Sequence, residues 1–156
     1  MKKIALITGA TSGIGEAAAL KMAGNGFGVI ITGRRQDRLN LLKAKLEEAG
    51  SHVLTLCFDV RNEEEVNGGL ESLPPEWQDI DVLVNNAGLA AGMEPLQQGN
   101  STDWNRMIDT NVKGLLYVTH FVSQGMIARK KGHIVNIGSI AGKEVYPNGN
   151  VYCATK

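Results

Sequence analysis

Five short apolar runs, each parted from the next by a stretch of helical character, limit what this chain can become. The runs are "KIALIT" (3–8), "FGVIITG" (27–33), "HVLTLCFDV" (52–60), "IDVLVNNAG" (80–88) and "HIVNIGS" (133–139). They are nearly continuous rather than alternating, the pattern of strands buried on both faces. Between them, "GIGEAAALKMAGNG", "RRQDRLNLLKAKLEEAG", "NEEEVNGGLESL" and "DWNRMIDTNVKGLLYVTHFVSQGMIARKK" read as helices. The second has leucines at helical spacing and stops at Gly50, and the third opens with Asn62 and Glu65 at capping-box spacing. The fourth reads as one long helix that Gly132 ends. Strand and helix in alternation predict an α/β fold, with right-handed crossovers, a parallel sheet and helices on both faces.

Composition removes several classes of function. Sixteen Lys plus Arg balance sixteen Asp plus Glu, so no global field attracts nucleic acid or an anionic membrane. An anionic ligand must be held by local arrangement instead. The apolar run "IALI" behind the basic start is too short for a secretory signal, and no run approaches the roughly 20 apolar residues of a membrane helix. The chain is expected to be soluble and cytoplasmic. Cys57 and Cys153 show no disulfide or metal-ligand pattern, and His52, His120 and His133 have no ligand spacing, so no metal is expected. "ARKKG" reads as cations set against a helix dipole.

The turn after the first strand, "TGATSGIG", carries the first chemistry. Glycine there lets backbone approach a diphosphate, whose charge meets the free N–H groups of the helix start. Gly9, Gly13 and Gly15 run G-x-x-x-G-x-G, which is neither the Rossmann G-x-G-x-x-G nor a Walker A loop. Placed in the first βα unit, Gly9, Thr11, Ser12, Gly13, Ile14 and Gly15 are read as a nucleotide site. The fold expectation is therefore a doubly wound, Rossmann-like single domain over residues 1–156. The second strand ends "TGRR", with Arg34 and Arg35 where a carboxylate would serve a free ribose 2′-hydroxyl. Two guanidinium groups suit a 2′-phosphate, so the predicted cofactor is NADP(H) rather than NAD(H).

A proton-exchanging pair stands at the other end of the chain. Tyr152 and Lys156 in "YCATK" lie four apart, one turn from each other on a helix. A phenol beside a cation can exchange a proton with a hydroxyl or carbonyl near neutral pH. Ser139 follows the fifth strand, at the carboxyl edge where ligands bind in this architecture. Asn111 sits inside the long helix, flanked by Ile108, Val112, Leu115 and Leu116 on or near its apolar stripe, a costly place for an amide that competes for backbone hydrogen bonds.

Taken together, "TGATSGIG", Asp59-Val60, "NNAG" (85–88), Asn111, Ser139 and "YCATK" resemble the short-chain dehydrogenase/reductase family along the whole chain. "TGRRQDRL", "SLPPEWQDIDVLVNNAGLAAGMEP", "DWNRMIDTNVKGL" and "GHIVNIGSIAG" are most similar to its NADP-dependent 3-hydroxy acid dehydrogenases, the serine and L-allo-threonine dehydrogenase group. The resemblance implies catalysis by Asn111, Ser139, Tyr152 and Lys156. In it Ser139 holds the substrate oxygen beside Tyr152, and Asn111 helps hold a water relaying protons from Lys156. Asp59 and Val60 would border the adenine, while Asn86, Ala87 and Gly88 would line the passage to the reacting ring. Tyr152 and Lys156 would also touch the cofactor, Lys156 at the nicotinamide ribose, and Met93, Tyr146 and Asn150 would lie around the substrate. The partners implied are a small hydroxy acid or carbonyl compound and further copies of the chain, in a tetramer. In the family, the helix bearing the lysine continues into two more strands, so the sequence is expected to be part of a longer one. The rival readings are a cofactor-binding regulator without catalysis and another short-chain ketone or aldehyde reductase.

Overall fold

The computed structural model describes residues 3–156; Met1 and Lys2, in the basic start of the chain, lie outside it. Five strands form one parallel sheet: β1 (Ile4–Ile7), β2 (Gly28–Gly33), β3 (Val53–Cys57), β4 (Ile80–Asn85) and β5 (His133–Asn136). Their spatial order is β3-β2-β1-β4-β5, so the chain winds outward from β1 in one direction, returns, and winds outward in the other. The reversal puts a crevice beside β1 at the carboxyl edge, between its loop and that of β4.

The apolar runs behave as their continuity predicts. Leu6, Ile30 and Leu83 point to one face and pack with Val66 and Leu70 of α3 (Glu63–Glu71) and Val118, Val122 and Met126 of α5 (Leu115–Ala128). Their neighbours Ala5, Ile7, Val29, Ile31 and Val84 point to the other face. There they meet Ala19 and Ala23 of α1 (Gly13–Gly24) and Leu39, Leu42 and Leu46 of α2 (Gln36–Glu48). Sheet residues such as Leu6, Ile30 and Leu83 are wholly removed from water, each burial being worth about 1.5–3 kcal/mol. β5 departs from this: His133, Ile134 and Asn136 are exposed on an edge strand.

The sheet has one irregularity with a clear remedy. Between Ile4 and Ala5 the β1–β4 register skips a residue, which leaves the Ile4 N–H without a ladder partner. Asp81 Oδ2 accepts that N–H at 3.0 Å, and Lys131 pairs with the other carboxylate oxygen at 2.6 Å. The N–H groups at the start of α3 are satisfied by Asn62, whose Oδ1 accepts from Glu64 N and Glu65 N. The Glu65 carboxylate reaches back as the spacing suggests, but to the Asn62 side chain and the Asp59 N–H rather than to the Asn62 backbone.

The long fourth helix runs unbroken from Ser101 to Ala128, but its hydrogen-bond pattern changes along the way. It comprises α4 (Ser101–Ile108), a π-helical segment (Asp109–Gly114) and α5. Asn100 caps it by accepting from Thr102 N, and its first residue, Ser101, lies two residues before the expected start at Asp103. The apolar stripe also lies elsewhere than expected. Met107, Asn111, Gly114, Val118, Val122 and Met126 face inward, whereas Ile108, Val112 and Leu116 form an exposed ridge. The inward side is set by Gly114, where a Cβ would lie 2.8 Å from Val60 Cγ2. Nor is Gly132 the residue that turns the chain: Lys130 does so, at φ 52°, while Lys131 N reaches back to Met126 O. Gly132 is small because Met126 packs against it, within 2.7 Å of where a Cβ would stand. The last helix, α6 (Asn150–Thr155), bears Tyr152 and leads to Lys156.

Candidate active site

Every residue expected in the site lies beyond a strand's carboxyl end, on a following helix, or in the loops between them. In the sheet's spatial order these are Asp59 and Val60 after β3, Arg34 and Arg35 after β2, and the glycine turn after β1. Asn86 to Gly88 follow β4, and Ser139 follows β5. A cleft takes in Gly9, Thr11 and Ser12, with Arg34, Arg35 and Asp59 toward one side and Ala87, Gly88 and Thr110 toward the other.

The three glycines are required for three different reasons. Gly9 has φ +64°, and a Cβ there would stand 2.9 Å from the Ala87 Cα, so both conformation and space demand glycine. Gly13 has φ +59° but open surroundings, so only its left-handed backbone matters. Gly15, in the first turn of α1, lies hard against the loop, where a Cβ would approach the Gly9 carbonyl oxygen and Asn86 Nδ2 to 2.4 Å. The Ser12 side chain makes no cap to α1, which leaves N–H groups of its first turn for an anion. Ile14 is exposed beside them.

A threonine that the sequence reading did not single out fixes the crevice. Thr8 Oγ1 accepts from the Asn86 and Ala87 N–H groups at 3.0 Å each and donates to Val84 O at 3.4 Å. Asn86 Nδ2 in turn donates to the carbonyls of Thr8 and Gly9. The Asn86 amide therefore clamps the glycine turn from beneath, and the cleft wall consists of Ala87 and Gly88. A buried hydroxyl ending an apolar strand was the available signal, since such a group must find partners. Asn85 lies one residue earlier and is buried, donating to Thr119 Oγ1 and Asn136 Oδ1.

At the β2 end the two arginines have separate settings. Arg35 Nη2 donates to Thr11 Oγ1 at 2.8 Å, drawing its guanidinium over the glycine turn. Arg34 Nη1 stands 3.6 Å from Asp59 Oδ2 with its side chain 57% exposed. The cationic start of α2 is thus offset in part by Asp59. The main partner of Asp59 is Arg61, whose Nε and Nη2 meet both carboxylate oxygens at 2.6–3.1 Å. Burial pushes the Asp59 carboxyl upward, but the hydrogen bonds and charge of Arg61, with the charge of Arg34, outweigh it and hold the group below its ordinary value.

Two of the residues expected to exchange protons, Asn111 and Lys156, come together beside Gly88. A Cβ on Gly88 would lie 3.2 Å from Asn111 Oδ1 and 3.5 Å from Lys156 Nζ, so both side chains border the same point of the wall. Lys156 Nζ donates to Ile137 O at 2.6 Å. Asn111 lies in the π segment, exchanges two hydrogen bonds with the Leu89 backbone, and donates to Thr155 Oγ1 at 2.9 Å. Its carboxamide joins the β4 loop to the residue preceding Lys156, a tying role beside the relay the resemblance implies.

Ser139 caps the short turn Ile140–Gly142 by accepting from Ala141 N at 3.1 Å, which leaves its own proton to donate. Gly142 in that turn abuts the Lys156 backbone, so the serine turn and α6 are packed together. Tyr152 is half-buried in α6, and its carbonyl accepts from Thr155 Oγ1. Of the outlying substrate candidates, Asn150 Nδ2 donates to Glu94 O and so joins α6 to the loop of Met93. Met93 is exposed, and Tyr146 packs over Gly149.

Among the described residues, no group of three or more His, Cys, Asp or Glu side chains could hold a metal ion, and no helix is long and apolar enough to cross a membrane.

Comparison with known proteins agrees with this geometry. The profile of the short chain dehydrogenase family matches residues 3–156. The NADP-dependent 3-hydroxy acid dehydrogenase YdfG of Salmonella typhi is 54% identical over 153 residues, covering 98% of this chain and 60% of that protein. Sulfoacetaldehyde reductase 2 of Chromohalobacter salexigens is 46% identical, covering 100% of this chain and 62% of the relative. The closed form of a serine dehydrogenase complexed with NADP+ superposes with a TM-score of 0.94 at 52% identity, over 98% of this chain and 60% of that one. The chain thus spans about 60% of the length of the relatives it matches. With the glycine turn, the Asn86–Thr8 clamp and the Gly88 corner in the places described, the chain belongs to the short-chain dehydrogenase family.

Proposed function

We propose that this chain carries the cofactor site and proton-exchanging residues of an NADP(H)-dependent oxidoreductase that interconverts a hydroxyl and a carbonyl on a small molecule, a 3-hydroxy acid. The observation that carries this reading is the single cleft running from Arg34 and Arg35, past the glycine turn, to Gly88, where Lys156 and Asn111 meet. The fit to NADP(H) is physical. A Cβ would close the diphosphate cradle at Gly9 and Gly15, and the Arg34 guanidinium is exposed at the end where a 2′-phosphate would lie. The names of the relatives, NADP-dependent 3-hydroxy acid dehydrogenase and serine dehydrogenase with NADP+, support the same cofactor and substrate class.

The bound nicotinamide supplies hydride chemistry; the chain supplies placement and protons. The first turn of α1 and the glycine backbone hold the diphosphate, and Asp59 and Val60 border the adenine. Ala87 and Gly88 keep the ring side of the cleft free of bulk. Tyr152 exchanges the proton with the substrate oxygen, Ser139 donates a hydrogen bond to that oxygen, and Lys156 sets the charge around Tyr152 while reaching the ribose. Asn111 holds the Leu89 backbone and Thr155 so that Lys156 keeps its place. Residues 1–156 form the dinucleotide-binding unit of a soluble, cytoplasmic homo-oligomer, a tetramer by family resemblance. Sulfoacetaldehyde reductase 2 among the relatives shows why the carbonyl partner must be found by assay.

The test is Tyr152→Phe in the whole protein, assayed for NADPH oxidation against a panel of 3-oxo acids and semialdehydes. Turnover should fall by about 10²–10⁴-fold while NADPH still binds. Wild-type turnover in that variant would exclude Tyr152 as the proton-exchanging group.

A further inference from the structure

Asp59 poses a problem for a site that binds a phosphate. It is a carboxylate lining the same cleft as Arg34 and Arg35, and its Oδ2 is 3.6 Å from Arg34 Nη1. A free carboxylate there would draw Arg34 into a bidentate pair and repel a doubly charged 2′-phosphate. The structure shows what prevents this. Arg61 donates its backbone N–H to Asp59 Oδ1 at 3.0 Å, its Nε to both oxygens, and its Nη2 to Oδ2 at 2.6 Å. The backbone of Asp59 is fixed as well, its N–H donated to Glu65 Oε2 at 2.9 Å. Both ends of the residue are committed before any ligand arrives, and Arg34 is left with one long contact. Asp109, whose charge also acts on Arg61, is itself paired with Lys113 at 2.8 Å, which leaves Asp59 as the principal partner of Arg61.

We propose that Arg61 is a positioning residue for cofactor selectivity: by occupying both oxygens of Asp59 it keeps Arg34 free for the 2′-phosphate and removes a negative charge from its path. This rests on the reading that the site takes NADP(H). Arg61 touches neither substrate nor cofactor in this role; it acts through Asp59 and Arg34. Without it, Asp59 captures Arg34, so the loss falls on the phosphorylated cofactor and spares the unphosphorylated one.

The experiment measures dissociation constants for NADPH and NADH with the whole protein, its Arg61→Ala and Arg61→Lys variants, and Asp59→Asn with and without Arg61→Ala. Arg61→Ala should weaken NADPH about tenfold through the uncovered charge and change NADH by no more than about twofold. Arg61→Lys, which keeps the charge but not the fork, should recover part of the NADPH affinity. In the Asp59→Asn background the effect of removing Arg61 should vanish to within about twofold, because the charge it covers is gone. Thermal melting of each variant separates selectivity from folding, and the paired Asp59→Asn proteins cancel any contact of Asp59 with the adenine. Equal losses for both cofactors in Arg61→Ala overturn the proposal, as does a loss that persists in the Asp59→Asn background. A parent protein with no preference for NADPH would remove the underlying reading before any variant was compared.

Discussion

Asn111 and Thr155, 44 positions apart, are joined by a 2.9 Å hydrogen bond from Nδ2 to Oγ1. That bond ties the π segment to α6 one residue before Lys156, and the same carboxamide exchanges two bonds with Leu89. The two functions separate by mutation. Thr155→Val removes the α6 tie, together with the bond from Thr155 Oγ1 to the Tyr152 carbonyl within α6, and should cost about 1 kcal/mol, with turnover falling more than NADPH affinity as Lys156 loosens. Asn111→Leu also strands the N–H and C=O of Leu89 and should cost at least about 2 kcal/mol. Denaturant unfolding with cofactor titration measures both; equal costs would show that the Leu89 bonds contribute nothing beyond the Thr155 bond.

The glycine turn yields a graded prediction. Gly13→Ala meets no neighbour but retains φ +59°, so it should destabilise by about 1–2 kcal/mol and weaken NADPH only modestly. Gly15→Ala must drive a methyl into the Gly9 carbonyl and the Asn86 amide. It should cost more and remove cofactor binding, because α1 can yield only by backing away from the loop that forms the cradle. Melting temperatures and NADPH titration of the two variants give the order; the reverse order would contradict the placement of α1.

How much of this was legible in the residues depends on how local the determinant is. The strands could be read because "IALI" and "VIIT" are buried on both faces, and the tight turn after β1 because Gly9, Gly13 and Gly15 stand at fixed offsets. The π segment could not be read, since Asp109–Gly114 has no breaker before Gly114 and the interruption comes from seating Asn111 on Leu89 and Gly114 on Val60. With Met107, Asn111 and Gly114 turned inward, Ile108, Val112 and Leu116 fall on the adjoining exposed face. The separate settings of Arg34 and Arg35 depend on Thr11 and on the Arg61–Asp59 pair, contacts made across loops, where no periodicity reports them. Met93, Tyr146 and Asn150 were placed by resemblance, and only Asn150 shows a bond that gathers them.

The C-terminus of α5 offers a stabilising change. Lys130 holds φ 52°, a left-handed conformation that costs a residue with a Cβ about 1–2 kcal/mol. Lys130→Gly should therefore raise stability, by up to about 1 kcal/mol after the greater freedom of glycine in the unfolded chain is counted. Gly50→Ala is the mirror experiment, with φ +78° in open space, and should lower stability by about 1 kcal/mol. Equilibrium unfolding measures both, and a destabilised Lys130→Gly protein would mean that the lysine side chain contributes more than its backbone costs.

Asp81 should make the sheet acid-sensitive. Burial pushes its carboxyl upward, but the Lys131 hydrogen bond, the Ile4 N–H, and the charges of Lys131 and Arg129 prevail and hold it below its ordinary value. A carboxyl whose folded value is depressed contributes stability that is complete above its unfolded value, near pH 4, and is lost as pH falls through the lower folded value. Asp81→Asn keeps an oxygen for the Ile4 N–H but cannot ionise, so it should lower stability at pH 7 and flatten the decline below about pH 4. Asp81→Ala also abandons the Ile4 N–H at the β1–β4 irregularity and should cost a further 1–3 kcal/mol or so. Denaturant midpoints from pH 7 down to pH 3 compare the three proteins. An Asn variant whose stability falls as steeply with acid as the parent's would assign the sensitivity to other carboxylates, Asp59 first, since Arg61 holds it below its ordinary value in the same way.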